Sequence, residues 1–265
     1  MLEIKNLSKT FNRNNIEKKL VLDDISLTIN DNDFITVIGG NGAGKTTLLN
    51  MIAGVFLPDS GSISIDGIDI TSLPEYKRAK YLGRVFQDPL KGTAADMTIL
   101  ENLSIAARRG QFRGLSWGIR KHEKASYINL LETFDLGLEK RLNDKVGLLS
   151  GGQRQAVTLL MATINRPKLL LLDEHTAALD PKTSSKVLQL TNKIIEEQKI
   201  PTLMITHNMN DAINYGNRLI MMHNGHIILD IQGEEKKNLT VKDLINKFED
   251  TVGEQLSDDK IILSK

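Results

Sequence analysis

Cysteine is absent from the 265 residues. That removes disulfide frameworks, thiolate metal sites and cysteine nucleophiles together, and it fits a reducing compartment. An excess of charge is also missing: 34 Lys and Arg stand against 33 Asp and Glu, a net +1. A dedicated nucleic-acid binder usually has a strongly basic domain, so this balance argues against one. It argues equally against a disordered acidic or basic tail protein. Long apolar runs are absent too. The purest stretches, such as residues 169–172, fall far short of the roughly 18 needed to cross a bilayer, so no membrane span is expected. The opening MLEIKNLSKTF has no apolar core of the kind a secretory leader needs, so none is expected. There is no internal repeat and no low-complexity segment. The length suffices for one large domain or two small ones with a sizeable core.

What is present is a pattern of short strands around a helical block. Strands are predicted near residues 2–4, 21–29, 34–38, 62–65, 68–70 and 82–86, and again near 169–172, 202–206, 218–223 and 227–231. Ile25, Leu27 and Ile29 alternate as in a half-buried strand. Residues 34–38 form an apolar run suited to a buried parallel strand. Asp66-Gly67 and Asn224-Gly225 are two-residue hairpin signals. Helices are predicted near 46–53, 74–80 and 183–198. Between about residues 98 and 166 the spacing is helical throughout: Leu100, Leu103, Ala106 and Ala107; Ile128, Leu130, Leu131 and Phe134; Ala156, Leu159, Leu160 and Thr163. The layout is an α/β unit interrupted by a helical insertion. At the C-terminal end, Thr240 and Asp243 mark a helix start. Val241, Leu244, Ile245 and Phe248 then form an apolar stripe, as in a helix docked on the main domain.

Gly39, Gly40, Asn41, Gly42, Ala43, Gly44, Lys45 and Thr46 satisfy the phosphate-cradling loop pattern. Glycines allow several N–H groups to converge on phosphate oxygens. Lys45 supplies a point charge for the β- and γ-phosphates, and the Thr46 hydroxyl suits magnesium. The helix that follows presents its positive end to the anion. Thr47 belongs to the same nucleotide-binding set. Further on, the apolar strand at 169–172 delivers Asp173 and Glu174 at its C-terminal end, where α/β sheets place ligand chemistry. Asp173 suits magnesium, and Glu174 suits polarisation of an attacking water.

Between these motifs lies Leu149-Ser150-Gly151-Gly152-Gln153. A Ser beside Gly at a helix start is itself an anion-binding arrangement. The three motifs in this order resemble the ATP-binding-cassette (ABC) ATPases, over about residues 1–235. The resemblance implies an α/β fold: a P-loop NTPase (RecA-like) core with an antiparallel β subdomain and an inserted α-helical subdomain. Its boundaries would be a core of about 1–88 and 165–235, a helical subdomain of about 89–164, and a C-terminal appendage of 236–265. It implies ATP and Mg2+ as cofactors. Gln87 matches the glutamine that helps hold magnesium, with Thr46 and Asp173, and senses the membrane partner. Ala177, Ala178, Leu179 and Asp180 match the loop that crosses to the partner subunit. His207 matches the histidine that contacts the γ-phosphate. Phe11 stands where a ring, usually Tyr, stacks on adenine. Ser150, Gly151, Gly152 and Gln153 would close on the ATP of the other chain. Two positions depart from the family: Gly40, where Pro or Ser is common, and His175, where Pro is usual. A protonated His175 would favour the Glu174 carboxylate; the alternative is a tolerated loop substitution.

One P-loop and one signature imply two chains, a homodimer or a pair with a paralogous cassette. The resemblance further implies transmembrane permease subunits, an extracytoplasmic solute-binding protein and a peripheral place at the cytoplasmic face of the cell membrane, with no nucleic acid bound. Residues 88–96 would meet the permease. The basic stretch of Arg108, Arg109, Arg113, Arg120, Lys121 and Lys124, with Phe112 and Trp117, could face anionic headgroups or form a solvated helical hairpin. The resemblance points to import of a small solute such as an amino acid, aromatic ones included. The alternatives are an efflux or lipoprotein-release ATPase and a soluble non-transport ABC ATPase. The last is disfavoured because no sustained heptads separate the P-loop from the signature. A generic P-loop kinase or GTPase would leave residues 149–153 unexplained.

Overall fold

The computed structural model describes residues 1–11, 19–111 and 121–253, with backbone alone at 121 and 122. In chain order the elements are β1 (Leu2–Phe11), β2 (Lys19–Ile29), β3 (Phe34–Ile38), α1 (Lys45–Ala53), β4 (Ser60–Ile65), β5 (Ile68–Asp69), α2 (Glu75–Arg78) and β6 (Leu82–Val85). Then follow α3 (Ile99–Ala107), α4 (Lys121–Glu132), α5 (Gly151–Thr163), β7 (Leu169–Asp173), α6 (Pro181–Gln198) and β8 (Thr202–Ile205). The last are α7 (Met209–Asn214), β9 (Arg218–His223), β10 (His226–Gln232), α8 (Gly233–Lys237) and α9 (Val241–Val252). They fall into two compact units, one of Met1–Arg78 with the segment from Ile200 onward, the other of Ala79–Lys199.

In the first unit, β2, β1, β4 and β5 form an antiparallel sheet in that order. Leu2 lies opposite both Ile29 and Ile65, and Ile4 lies opposite both Leu27 and Ile63. All of these side chains are buried, so the register gathers them on one face. A second group centres on β3, which pairs in parallel with β8 and β9, while β10 pairs antiparallel to β9. All five β3 residues are buried, as expected of a parallel strand covered on both faces. The polar one, Thr36, donates its hydroxyl to the Ala212 carbonyl at 2.8 Å.

Helix α1 starts after Gly44 and stops at Gly54, both left-handed. Its last carbonyls are met by Arg78, which is fully buried. The guanidinium donates to the Met51 carbonyl at 2.6 Å, Ile52 at 2.9 Å, Leu73 at 2.7 Å and Thr71 at 2.8 Å. This planar fork of donors ties the far end of the P-loop helix to the segment after β5. The predicted C-terminal helix is α9, closed by the reciprocal Thr240–Asp243 cap. Leu244 and Phe248 are buried with Ile38, Met209, Leu219 and Met221, so the docking expected for this helix is found within the first unit. Lys236, also buried, donates to the carbonyls of Ile213, Tyr215 and Gly216 at the end of α7.

In the second unit, β6 and β7 pair in parallel from Leu82–Leu169 to Val85–Leu172. Helices α3 and α5 open with capping boxes, Thr98 with Glu101 and Ser150 with Gln153. In and just after α4 the buried residues are Tyr127, Leu131 and Phe134; Leu131 and Phe134 are as the spacing predicts, while Ile128 and Leu130 are only half-buried and Tyr127 takes the inward place. The basic stretch is also corrected in part. Arg108 pairs with Glu123 at 3.1 Å and donates to the Ser104 carbonyl at 2.7 Å. Arg109 donates to the carbonyls of Ala162 and Asn165. Both guanidiniums serve internal contacts. Phe112, Arg113, Trp117 and Arg120, and the Lys121 side chain, lie outside the described residues. Among the described residues no helix is long and apolar enough to cross a membrane.

Arg78→Lys should lower stability by about 3 kcal/mol, because an ammonium cannot reach four carbonyls around a fork and leaves some buried acceptors unmet. A thermal-melting midpoint lower by several degrees checks this.

Candidate active site

The first unit carries the phosphate loop between β3 and α1. Gly39 has φ +150°, and a Cβ there would sit 2.1 Å from the Met222 carbonyl oxygen. Only glycine lets β3 turn this close to β9. Gly44 is left-handed and no side chain caps α1, so the first N–H groups of the helix point into the turn. Lys45 is buried, and its ammonium donates to the carbonyls of Gly39 at 2.7 Å and Gly40 at 3.0 Å. The hairpin turn Asn224-Gly225 braces the loop. Its Gly225 N–H donates to the Ala43 carbonyl at 3.2 Å, and its carbonyl accepts from Asp23 N–H at 3.1 Å. Asn41, Gly42 and Thr46 are exposed and Thr47 is half-buried.

Phe11 ends β1 in the same unit. Phe56 meets its ring edge-on, with centroids 5.1 Å apart, and Lys9 lies 5.6 Å from its centroid. Lys9 is itself held by Asp59 at 3.1 Å and the Leu57 carbonyl at 2.7 Å. Phe56 is a brace the sequence pattern does not mark, because nothing in its spacing distinguishes it from a surface residue after a helix. His207 follows β8. The next residue, Asn208, caps α7 by accepting from Asp211 N–H at 3.2 Å.

The second unit carries the remaining motif residues. Asp173 is the last residue of β7, and Arg84 of β6 approaches its carboxylate at 3.7 Å while stacking on Phe86. Arg84 is a further charged group beside this carboxylate, and sequence order alone does not pair the two. Glu174 has φ +46°. Gln87 is exposed and precedes Asp88, which caps the turn at Pro89–Gly92 through Leu90 N–H at 2.9 Å.

Helix α5 ties these pieces together. Its Gln155 donates to the Phe86 carbonyl at 3.3 Å, beside Gln87. A Cβ on Gly152 would lie 2.2 Å from the Thr183 methyl of α6, so the signature glycine allows two helix starts to approach. Ser150 is exposed, and its hydroxyl accepts from Gln153 N–H at 3.3 Å. The Gln153 side chain is engaged inside the chain: its oxygen accepts from Ser150 N–H and Arg141, and its amide donates to the Leu136 carbonyl. Gln153 therefore holds Ser150 in place. Asp180 caps α6 by accepting from Thr183 N–H at 3.1 Å, and hydrogen bonds from Thr183 hold its carboxyl below the ordinary range.

His175 is buried, and burial pushes its imidazole down to about 4. It is neutral at physiological pH, so it exerts no cationic influence on Glu174. Between pH 6.5, its ordinary value, and about 4 the unfolded chain binds a proton that the folded chain refuses. Stability is therefore lost as pH falls through that window. Thermal midpoints should decline on acidification there, and His175→Gln should lose part of the decline.

The oxygen donors assigned to magnesium are the Thr46 hydroxyl, the Gln87 amide and the Asp173 carboxylate. Among the described residues no group of three His, Cys, Asp or Glu could hold a metal ion. Hard oxygen donors of this kind, Thr46 in the first unit and Gln87 and Asp173 in the second, suit Mg2+ by chemistry, since that ion keeps waters and substrate phosphates in its shell instead of an all-protein cage.

The family model described as ABC transporter matches residues 22–177. The chain belongs to the ABC transporter family and is an ATP-binding, ATP-hydrolysing subunit of that family. Among relatives, a tyrosine transport ATP-binding protein of Clostridioides difficile (strain R20291) is 50% identical over 249 residues, covering 94% of this chain and 99% of that protein. The spermidine/putrescine import ATP-binding protein PotA of Haemophilus influenzae is 33% identical over 269 residues, 99% of this chain and 68% of that one. Among solved structures, a dimeric ATP-binding cassette in a post-hydrolysis state bound to ADP and Pi is 31% identical, with a TM-score of 0.74 over 88% of this chain and 98% of that one. The cbiO1 protein of Clostridium perfringens, part of the ABC transporter complex cbiONQ, aligns with a TM-score of 0.75 at 26% identity, over 95% of each chain. The P-loop NTPase fold expected from the motifs is thus the fold found.

Proposed function

We propose that this chain binds ATP and magnesium, pairs with a second cassette, and powers import of a small solute through permease subunits at the cytoplasmic face of the cell membrane. The observation that carries the import reading is the 50% identity, over nearly the whole of both chains, to a protein described as a tyrosine transport ATP-binding protein. Tyrosine or another aromatic amino acid is the first cargo to test, delivered by an extracytoplasmic solute-binding protein.

Residues of the first unit do the binding. Phe11 stacks on the adenine, the loop N–H groups and Lys45 hold the phosphates, and His207 contacts the terminal one. In the second unit Glu174 orients the attacking water, and Ser150, Gly151 and Gly152 receive the ATP of the partner cassette. Thr46, Gln87 and Asp173 would hold magnesium, which when bound offsets charge on the β- and γ-phosphates. Residues 88–96 face the permease, with Leu90 and the adjoining Met97 exposed. Asp180 serves the partner contact through its place at the start of α6.

Lys45→Ala should lower ATP turnover at least about 100-fold, since it removes the cation at the phosphates; unchanged turnover would refute the site. Glu174→Gln should keep ATP binding and elute as a dimer in size-exclusion chromatography with ATP, whereas a monomer would refute the two-chain arrangement. Uptake of labelled tyrosine by cells with and without this chain and its permease tests the cargo.

A further inference from the structure

We propose that His175 is a positioning residue for Glu174: its ring, hydrogen-bonded inside the second unit to Thr191 of α6, holds the chain in the left-handed turn on which Glu174 sits. The proposal rests on the reading of Glu174 as the residue that orients the attacking water.

Glu174 carries a side chain at φ +46°. An L-residue with a Cβ reaches that region only at a cost and stays there when its surroundings leave no alternative. On one side the chain is fixed by β7, whose residues from Leu169 to Leu172 are all fully buried. On the other it is fixed more loosely. The Ala177 N–H closes a turn on the Glu174 carbonyl at 3.0 Å, and the Leu179 N–H closes the next on Thr176 at 3.1 Å. The exposed Asp180 then caps α6. Those turns are solvent-facing: Ala177 and Ala178 are exposed.

His175 is the exception in this loop, with 2% of its surface exposed. Its Nε2 lies 3.1 Å from the Thr191 hydroxyl oxygen, well inside α6. Thr191 is equally buried, and its one hydroxyl proton goes to the Val187 carbonyl at 2.7 Å. The Thr191 oxygen can therefore only accept from the ring, which assigns the Nε2–H tautomer to His175 and makes the bond directional. The residue after Glu174 is thus anchored to the middle of a long helix, in a place where the ring cannot swing without leaving its own buried N–H unpaired. Rotation of the peptide between Glu174 and His175 would move that ring. The anchor consequently limits the Glu174 backbone, and a loop substitution that merely fills space does not describe this residue.

The test uses the full-length chain. Thr191→Val removes the acceptor and keeps the shape, whereas Thr191→Ser keeps the hydroxyl. Thr191→Val should lower kcat for ATP about five-fold or more at nearly unchanged KM, because misorientation of the water-orienting group affects the chemical step and not binding. Thr191→Ser should return kcat to within about two-fold of the wild type. If Thr191→Val does not fold, His175→Gln, which keeps an N–H donor, is compared with His175→Leu, and the first should turn over faster at equal KM. Wild-type kcat in a folded Thr191→Val protein, a KM that rises as kcat falls, equal damage in the Ser variant, or equal kcat in the Gln and Leu variants would each overturn the proposal. Glu174→Gln is assayed beside them. Lost turnover there together with an unaffected Thr191→Val removes the positioning role alone, while retained turnover in Glu174→Gln removes both the reading of Glu174 and the positioning role.

Discussion

The N–H groups at a helix start must find acceptors, and this chain treats the helix after the phosphate loop differently from five of its others. Thr98, Ser150, Asp180, Asn208 and Thr240 close α3, α5, α6, α7 and α9 with side-chain oxygens. Helix α1 receives no such cap; a left-handed glycine stands in that place. Its donors, and the positive end of its dipole, are directed into the loop that precedes it. The surrounding architecture of the first unit supports this uncapped end. Strand β3 is buried on both faces so that it delivers the loop rigidly, the turn at Gly225 braces Ala43 from the side, and Arg78 secures the opposite end of the helix.

The second unit solves another problem, which is keeping several separate loops in register. Gln87, Ser150, Glu174 and Asp180 are spread over nearly a hundred positions of sequence, yet each lies next to a residue fixed to α5, α6 or β7. Gln155 holds the strand end before Gln87, Gly152 lets α5 lie against Thr183, and Gln153 secures Ser150. Close packing at Gly152 means that displacement at the start of one of these helices is felt at the start of the other.

The parts legible in the sequence were those written locally. The phosphate loop, the acidic pair and the signature are contiguous strings whose chemistry needs fixed spacing. The hairpins announce themselves in Asp66-Gly67 and Asn224-Gly225, and the last helix in Thr240 and Asp243. Strand β1 was underestimated because Lys5, Ser8 and Lys9 interrupt the alternation; the register against β2 shifts between Ile4 and Leu7 and twice more beyond it. The supporting contacts were not legible because they join residues far apart in sequence whose types have commoner uses. Arg78 looks like one more charge on a short polar helix, Arg84 like a solvated strand residue, Phe56 like a loop aromatic and Thr191 like a neutral position in α6. Arg108 and Arg109 misled for the same reason, since charge density along a chain does not reveal which guanidiniums are spent on neighbouring carbonyls.

Lys236 offers all three of its ammonium protons to the end of α7, and Asn208 closes the beginning of that helix one residue after His207. A helix of six residues fastened at both ends has little internal give, so it behaves as a peg and not as a spring. Met209 at its start packs in the same apolar cluster as Leu244 and Phe248 of α9. The C-terminal segment is therefore ballast on the peg: whatever grips or displaces that segment pulls, through rigid packing, on the residue that follows His207.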